Sequence, residues 1–160
     1  MDDRLFRNAM GKFATGVTVI TTTVNNEPHG MTANAFMSVS LSPKLVLISI
    51  GEKAKMNQYI KESGKFAVSI LSEDQKEISM IFAGQMKEKR EVEFKWMNNL
   101  PVIGNAIVNL TCDVYNSHVE GDHTLYIGEV TDIELADGKP LLFFEGQYNN
   151  ISEKQYNNIG

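Results

Sequence analysis

A run of small and hydroxyl-bearing residues alternates with apolar ones over 30–43, and these residue types could hold a ligand. Its polar members are Thr32, Asn34, Ser38 and Ser40. One interpretation is an edge strand and a turn, in which these side chains satisfy backbone groups. The other is a surface of backbone N–H and hydroxyl donors that binds a flat ring with polar edges. The residues alone leave both interpretations open.

A second candidate binding feature is a pair of lysines, Lys53 and Lys55, at the start of a predicted helix. Cations near a helix N-terminus suit a bound anion such as a phosphate. The alternative is that both lysines are solvated on the helix surface.

Metal and nucleophile chemistry find no support in the sequence. The histidines, His29, His118 and His123, include no pair at the helical i, i+4 spacing of metal ligands, and a single cysteine, Cys112, excludes a Cys-x-x-Cys site. There is no Gly-x-Ser-x-Gly elbow and no glycine-rich phosphate loop. We expect no metal site, and we expect Cys112 to be a buried, inert thiol.

Composition indicates one globular domain without a nucleic-acid or membrane partner. The 160 residues are 42% hydrophobic and 22% charged, and the formal net charge is -5. A mildly acidic chain has no general attraction for nucleic acid or anionic lipid. The longest apolar runs are far shorter than the ~20 residues that cross a bilayer, and no signal peptide is visible. We therefore expect a cytoplasmic protein.

The elements that must position these residues follow from hydrophobic patterning. Helices are predicted over 3–14, 53–63 and 72–84, the last opening with a capping box at Ser72 and Gln75. Strands are predicted over 17–24, 31–35, 45–50, 66–71, 106–118, 124–135 and 141–144. The strand over 45–50 is expected to be buried on both faces, and 85–95 is expected to be a solvated loop.

This order of elements predicts a mainly β fold with helical insertions (α+β), built as an antiparallel barrel. A doubly wound parallel sheet would need a helix after nearly every strand, and most of these strands have none. The domain is expected to span 1–148. The polar tail, 149–160, is expected to be either frayed or laid on a partner.

Several segments at matching spacing resemble the flavin reductase-like family over about residues 5–148. They read FATGVTVITT over 13–22, GMTANAFMSVSLSP over 30–43, FAVSIL over 66–71 followed by Gln75, FAG over 82–84, GDHTLYIGEV over 121–130, and PLLFF over 140–144 followed by Gly146 and Tyr148. The resemblance implies a split antiparallel β-barrel, usually a homodimer. It implies that NADH reduces FAD or FMN, and that reduced flavin passes to a separate flavin-dependent monooxygenase such as a phenol hydroxylase.

The resemblance also implies roles for individual residues. The flavin ring and ribityl chain would contact Thr32, Ala33, Asn34, Ser38, Val39 and Ser40. The flavin phosphate would lie at Lys53, Ala54 and Lys55, and the ring would lie near Phe82, Ala83 and Gly84. The nicotinamide of NADH would lie beside His123, with Phe144, Gly146 and Tyr148 on its other side.

Under this hypothesis His123 orients or polarises the nicotinamide amide, because hydride transfer needs stacking and a short donor–acceptor distance more than a general base. Lys53 and Lys55 could meet a diphosphate as well as one phosphate, which leaves the choice between FAD and FMN open. The resemblance favours FAD. The alternative function is a non-catalytic flavin-binding or electron-transfer flavoprotein.

Overall fold

The fold is described by a computed structural model over residues 1–86 and 90–151. The helices are α1 (Asp3–Gly11), α2 (Lys55–Ser63) and α3 (Lys76–Phe82). The strands are β1 (Thr15–Gly16), β2 (Thr18–Val24), β3 (Glu27–Ala33), β4 (Phe36–Leu41), β5 (Lys44–Gly51), β6 (Lys65–Ile70), β7 (Phe94–Met97), β8 (Leu100–Ile103), β9 (Val108–Glu120), β10 (His123–Leu135), β11 (Leu141–Phe144) and β12 (Gln147–Asn150).

The main sheet has seven antiparallel strands in the order β3-β2-β6-β9-β10-β5-β4. Its two terminal strands, β3 and β4, are consecutive in sequence and are joined by Asn34 and Ala35 alone. The sheet therefore curls until its edges meet at this link. A three-stranded sheet, β1-β11-β12, and the hairpin β7-β8 flank it. The predicted mainly β, antiparallel fold with helical insertions is confirmed.

The β2–β3 hairpin shows how local sequence sets the register. Asn25 and Asn26 have φ of 52° and 63°, the left-handed pair that a two-residue type I′ turn requires and that asparagine tolerates. The predicted turn is confirmed, but it is tighter than expected. Strand β3 therefore begins at Glu27, rather than at the predicted residue 31.

The core lies inside the curled sheet under α2. It includes Ile20, Ile48, Phe66 and Tyr126, each at most 2% exposed. The prediction that 45–50 is buried on both faces is wrong. Alternate residues of β5 are buried and the others only half-buried, because β5 belongs to an antiparallel sheet with one face towards the core.

The helices partly match their predicted bounds. Helix α2 ends as expected, with Gly64 in the left-handed conformation at φ 69°. Helix α1 ends at Gly11, before the predicted residue 14, and buries no side chain. The predicted start of α3 is wrong: the helix begins at Lys76. Gln75 Oε1 does accept from the Ser72 backbone N at 3.0 Å, but Gln75 is itself the N-cap and makes no side-chain cap bond.

Sequence patterning missed several short strands, namely β1, β4, β7, β8 and β12. The predicted loop over 85–95 ends earlier than expected, because Phe94 opens β7; its residues 87–89 lie outside the described residues. Strand β12 pairs through Asn150, so the first two residues of the predicted tail, 149 and 150, belong to a strand. Residues 152–160 lie outside the described residues.

Candidate functional site

Helix α3 is held to the C-terminal end of β3 by polar contacts that pass through Ser79. Thr32 Oγ1 donates to the Ser79 carbonyl oxygen at 2.6 Å, and the Ser79 hydroxyl lies 2.7 Å from the Tyr148 hydroxyl. Ser79 is fully buried. The contacts bring together β3, α3 and β12, which carry three separate groups of predicted flavin or NADH residues.

A pocket of about 190 Å³ lies at this junction, and we call it the ring pocket. It is lined by Val17, Thr32, Ala33, Asn34, Ser79, Ala83, Gln85, Phe143 and Tyr148. Five of the predicted site residues, from three distant segments, thus share one pocket. Phe82 and Gly84 do not line it: the Phe82 ring packs against Phe94, and Gly84 ends α3 at φ 71°.

Two further pockets meet the ring pocket at Asn34, in the link between the terminal strands. The larger, of about 710 Å³, lies between α1 and the β11–β12 turn and includes Gly146. The smaller, of about 220 Å³, includes Thr15 and Phe36. Asn34 lines all three pockets. Its amide group therefore stands where separate ligand groups could meet.

The donor set around Asn34 fits a flavin ring. The buried Thr15 Oγ1 has no hydrogen-bond partner among the described residues, although burying an unpaired hydroxyl costs free energy. Thr15 lines the 220 Å³ pocket, which shares Asn34 with the two pockets that Phe143 lines. A heteroaromatic ring with alternating polar edge atoms needs such a surface.

The predicted phosphate residues lie at the start of α2. Ala54 is the N-cap and Lys55 is the first helical residue, and no side chain caps this end. Lys53 and Lys55 are exposed and form no ion pair within the described residues. Free helix N–H groups with two cations beside them fit a flavin phosphate.

His123 opens β10 beside the predicted phosphate residues. It pairs with Gly51, and its Nδ1 lies 2.8 Å from Asp122 Oδ1. The hydrogen bond with His123 lowers the pKa of Asp122, and the charges of His123 and Lys53 act in the same direction. The structure thus groups His123 with Lys53. In the single chain it does not bring His123 into one pocket with Phe144, Gly146 and Tyr148.

A buried polar network beneath this loop was missed by the sequence reasoning. Thr124 Oγ1 donates to Glu52, Asn57 Nδ2 donates to Thr124 Oγ1 at 3.2 Å, and the Tyr126 hydroxyl donates to Asn57 Oδ1. Burial raises the pKa of Tyr126, and the charge of Glu52 raises it further. The network locks the start of α2 onto β10. The available signal was a polar residue, Asn57, on the helix face that carries Met56 and Ile60.

The remaining predicted residues are dispersed. Ser38, Val39 and Ser40 lie on the terminal strand β4, where a β-bulge shifts the register between Ser38 and Ser40, and they line none of the pockets described above. Phe144 is 38% exposed in the single chain. Gly146 lies in the β11–β12 turn, which is held to α1 by a Lys12–Glu145 ion pair and by the Glu145 N to Gly11 O hydrogen bond.

Two other classes of feature, a metal centre and a membrane-spanning helix, are not found among the described residues. No group of three or more His, Cys, Asp or Glu side chains in the described ranges could hold a metal ion. None of the helices in the described part of the chain is long and apolar enough to cross a membrane. Cys112 is buried, as predicted, and burial together with the charge of Asp113 raises its pKa to about 12.

Comparisons with known proteins identify the fold and the family. A family described as "Flavin reductase like domain" matches residues 10–152. The chain is 46% identical over 148 residues to an NADH-dependent flavin reductase from a Rhodococcus species, covering 91% of this chain and 84% of that one. It is also 37% identical over 147 residues to the reductase component of a 4-hydroxyphenylacetate 3-monooxygenase from Thermus thermophilus, covering 91% and 95%.

Solved structures agree. The flavin reductase PheA2 in its native state superposes with a TM-score of 0.94 at 62% identity, covering 96% of this chain and all of that one. The Streptomyces globisporus NADH:FAD oxidoreductase SgcE6, in complex with NAD and FAD fragments, gives 0.88 at 36% identity, covering 94% of each chain. These matches confirm the split-barrel fold and the resemblance found in the sequence, and the chain belongs to the flavin reductase-like family.

Proposed function

We propose that this protein is an NADH-dependent flavin reductase, which transfers a hydride from NADH to FAD or FMN. The convergence of three pockets on Asn34 carries the proposal, because a hydride donor and its acceptor must lie in contact. The family membership and the names of the similar proteins support the same activity.

Within this proposal the chain's own residues bind, orient and exclude water. Thr32, Ala33, Asn34 and Ala83 would hold the flavin ring in the ring pocket, while the start of α2 would hold its phosphate. When bound, the flavin supplies the ring that accepts the hydride. Fixed backbone dipoles and the Asn34 amide would stabilise negative charge on the reduced ring without reorganising.

The donor side is proposed to be the 710 Å³ pocket, which shares Asn34 and Phe143 with the ring pocket. Gly146 lines it and Tyr148 lines its neighbour, in agreement with their proposed place beside the nicotinamide. His123 lies elsewhere in the single chain, so its role requires a second protomer or a ligand that extends to the start of α2.

We infer a homodimer from exposed apolar side chains on adjoining surfaces. Those on β4, β9 and β10 are Met37, Val39, Leu41, Tyr115, Val119, Ile133 and Leu135, each at least 45% exposed. A second copy covering β4 would also bury Ser38, Val39 and Ser40 near the flavin. Light scattering tests this inference, and a monomer mass at micromolar concentration contradicts it.

The reduced flavin is proposed to serve a separate flavin-dependent monooxygenase, since the names of similar proteins describe them as the reductase component or subunit of a monooxygenase. A cytoplasmic location is part of the proposal, because NADH and free flavin are small molecules of the cell interior. The alternative, a flavoprotein that keeps its flavin and passes electrons to a docked protein, differs in whether reduced flavin leaves.

The deciding experiment is anaerobic. The protein is mixed with a large excess of FAD or FMN, NADH or NADPH is added, and bleaching of the visible flavin band is followed. We expect many flavins to be reduced per protein with NADH. Reduction of only one flavin per protein would favour the electron-transfer alternative, and no reduction would overturn the proposed reductase activity.

A further inference from the structure

A pocket on the α2 side of β3 has no place in the predicted site beyond Lys55. It has a volume of about 330 Å³, and we call it the α2 pocket. It is lined by His29, Gly30, Met31, Lys55, Met56 and Tyr59. Strand β3 separates it from the ring pocket, because successive residues of a strand point to opposite faces.

Two of the lining side chains stack on each other, and an outer face of this pair is the surface on which a further ring can stack. The rings of His29 and Tyr59 stack with centroids 3.8 Å apart and an interplanar angle of 19°. Both residues are half-buried. Neither the His29 ring nitrogens nor the Tyr59 hydroxyl has a hydrogen-bond partner among the described residues. The surface thus combines a face for stacking with polar atoms at its edge.

The other lining residues suit a heteroaromatic base attached to phosphate. Met31 and Met56 contribute thioethers, which make favourable contacts with aromatic rings. Lys55 places a cation at the same pocket and has no ion pair within the described residues. A purine needs the flat face and the polar edge, and its attached phosphates need the cation.

The position of the α2 pocket relative to the ring pocket fits the two halves of one dinucleotide. Met31 lines the first pocket, and Thr32, the next residue of β3, lines the second. The two pockets therefore lie at adjoining positions along the strand. Strand β3 is terminal in its sheet, so its outer edge has no strand partner and adjoins both faces. A ribityl-diphosphate chain can lie along such an edge.

We propose that the α2 pocket is an adenine subsite, in which the His29–Tyr59 pair stacks the base and Lys55 holds the diphosphate. The inference rests on the proposed flavin reductase function and deepens it. FAD carries this adenine and FMN does not, so the subsite would make FAD the preferred flavin. NADH carries the same group and is the other source of it.

The test compares FAD and FMN binding, measured by quenching of flavin fluorescence without NADH. The variants are His29→Ala and Tyr59→Leu, with Tyr59→Phe to keep the ring and His118→Ala as an exposed histidine control. We expect the first two variants to weaken FAD binding roughly tenfold, which is the effect of losing one base–aromatic stack. The affinity for FMN should stay within about twofold of wild type. Unchanged FMN binding also shows that each variant has folded.

Lys55→Gln distinguishes the phosphate contact from the base contact, because it should weaken the binding of both FAD and FMN. If His29→Ala and Tyr59→Leu weaken FAD and FMN equally, or change neither flavin nor NADH, the proposal is wrong. If flavin binding is unchanged and KM for NADH rises about tenfold with either flavin, the adenine bound here is that of NADH. Since the titrations contain no NADH, they test adenine binding at the α2 pocket independently of whether the protein reduces flavin.

Discussion

Gly30 of β3 lies close to Phe82 of α3, and a single methyl group there should disturb the ring pocket. A Cβ on Gly30 would lie 2.7 Å from Phe82 Cε1 and 2.8 Å from Cδ1. Ordinary contact begins near 3.4 Å, so the ring must move by most of an ångström. Phe82 is half-buried and Ala83, which follows it, lines the ring pocket.

We expect Gly30→Ala to lower the free energy of unfolding by about 1 kcal/mol. Overpacking costs about 1–3 kcal/mol, and the low end applies because the obstructing atoms belong to a ring that can swing. The backbone of Gly30 is not left-handed, so alanine can adopt its conformation. Alanine also lowers the conformational entropy of the unfolded chain, which offsets part of the overpacking cost. Flavin affinity should fall several-fold, since α3 shifts with the ring.

Urea unfolding and flavin titration check the two effects separately. Gly128→Ala is the matched control: its Cβ would meet Phe66 Cζ at 2.5 Å and Cys112 Cβ at 2.8 Å, in the core away from the ring pocket. It should destabilise more, by about 2–3 kcal/mol, yet leave flavin affinity near wild type. The double variant Gly30→Ala/Phe82→Leu should recover stability relative to Gly30→Ala alone. Without that recovery, the Gly30–Phe82 contact is not the cause.

Three further changes test other parts of the structure. Cys112→Ala should reduce the alkaline loss of stability, because the unfolded thiol ionises near pH 9.0 and the folded thiol near 12. The contribution of Cys112 is complete below pH 9 and falls by about 1.4 kcal/mol per pH unit above it, and the variant lacks this part of the loss. Urea unfolding at several alkaline pH values checks this. His123→Ala should raise KM for NADH about tenfold, one lost hydrogen bond, with flavin affinity unchanged; unaltered steady-state kinetics would remove its role. Gln75→Ala loses bonds to the Ser72 N and the Gly104 O, and should cost about 1–3 kcal/mol in thermal unfolding; wild-type stability would show these bonds to be dispensable.

Sequence patterning found the elements whose signals are local. The Asn25–Asn26 turn and the Gly64 helix end were predicted because their backbone conformations depend on the residues themselves. Strand β4 was missed because its small hydroxyl residues read equally as a turn, and β7–β8 because a charged stretch precedes it. The site residues came from the family resemblance, and their roles remain predictions.

The contacts that assemble the site have no local signal. Thr32 and Ser79 are 47 positions apart, and Ser79 and Tyr148 are 69 apart. The link between Tyr126 and Asn57 also spans 69 positions. Hydrophobic periodicity reports which face of an element is buried, but it does not report which element covers that face. Pairings of this range are fixed only when the strands and helices pack together.

The location of the ring pocket follows from how this sheet fails to close. A closed barrel would pair every strand on both sides and leave no free edge. Here β3 and β4 are terminal strands linked at Asn34, so backbone N–H and C=O groups stay available at that corner. Small side chains such as Ala33 and Ala35 let a flat ring approach these groups closely. Ala33 both lines the ring pocket and packs against the core cluster that includes Ile48, so a larger side chain there would intrude on both. The split in the barrel and the alternation of small residues over 30–43 therefore serve one requirement, the close approach of a flat ring to the backbone.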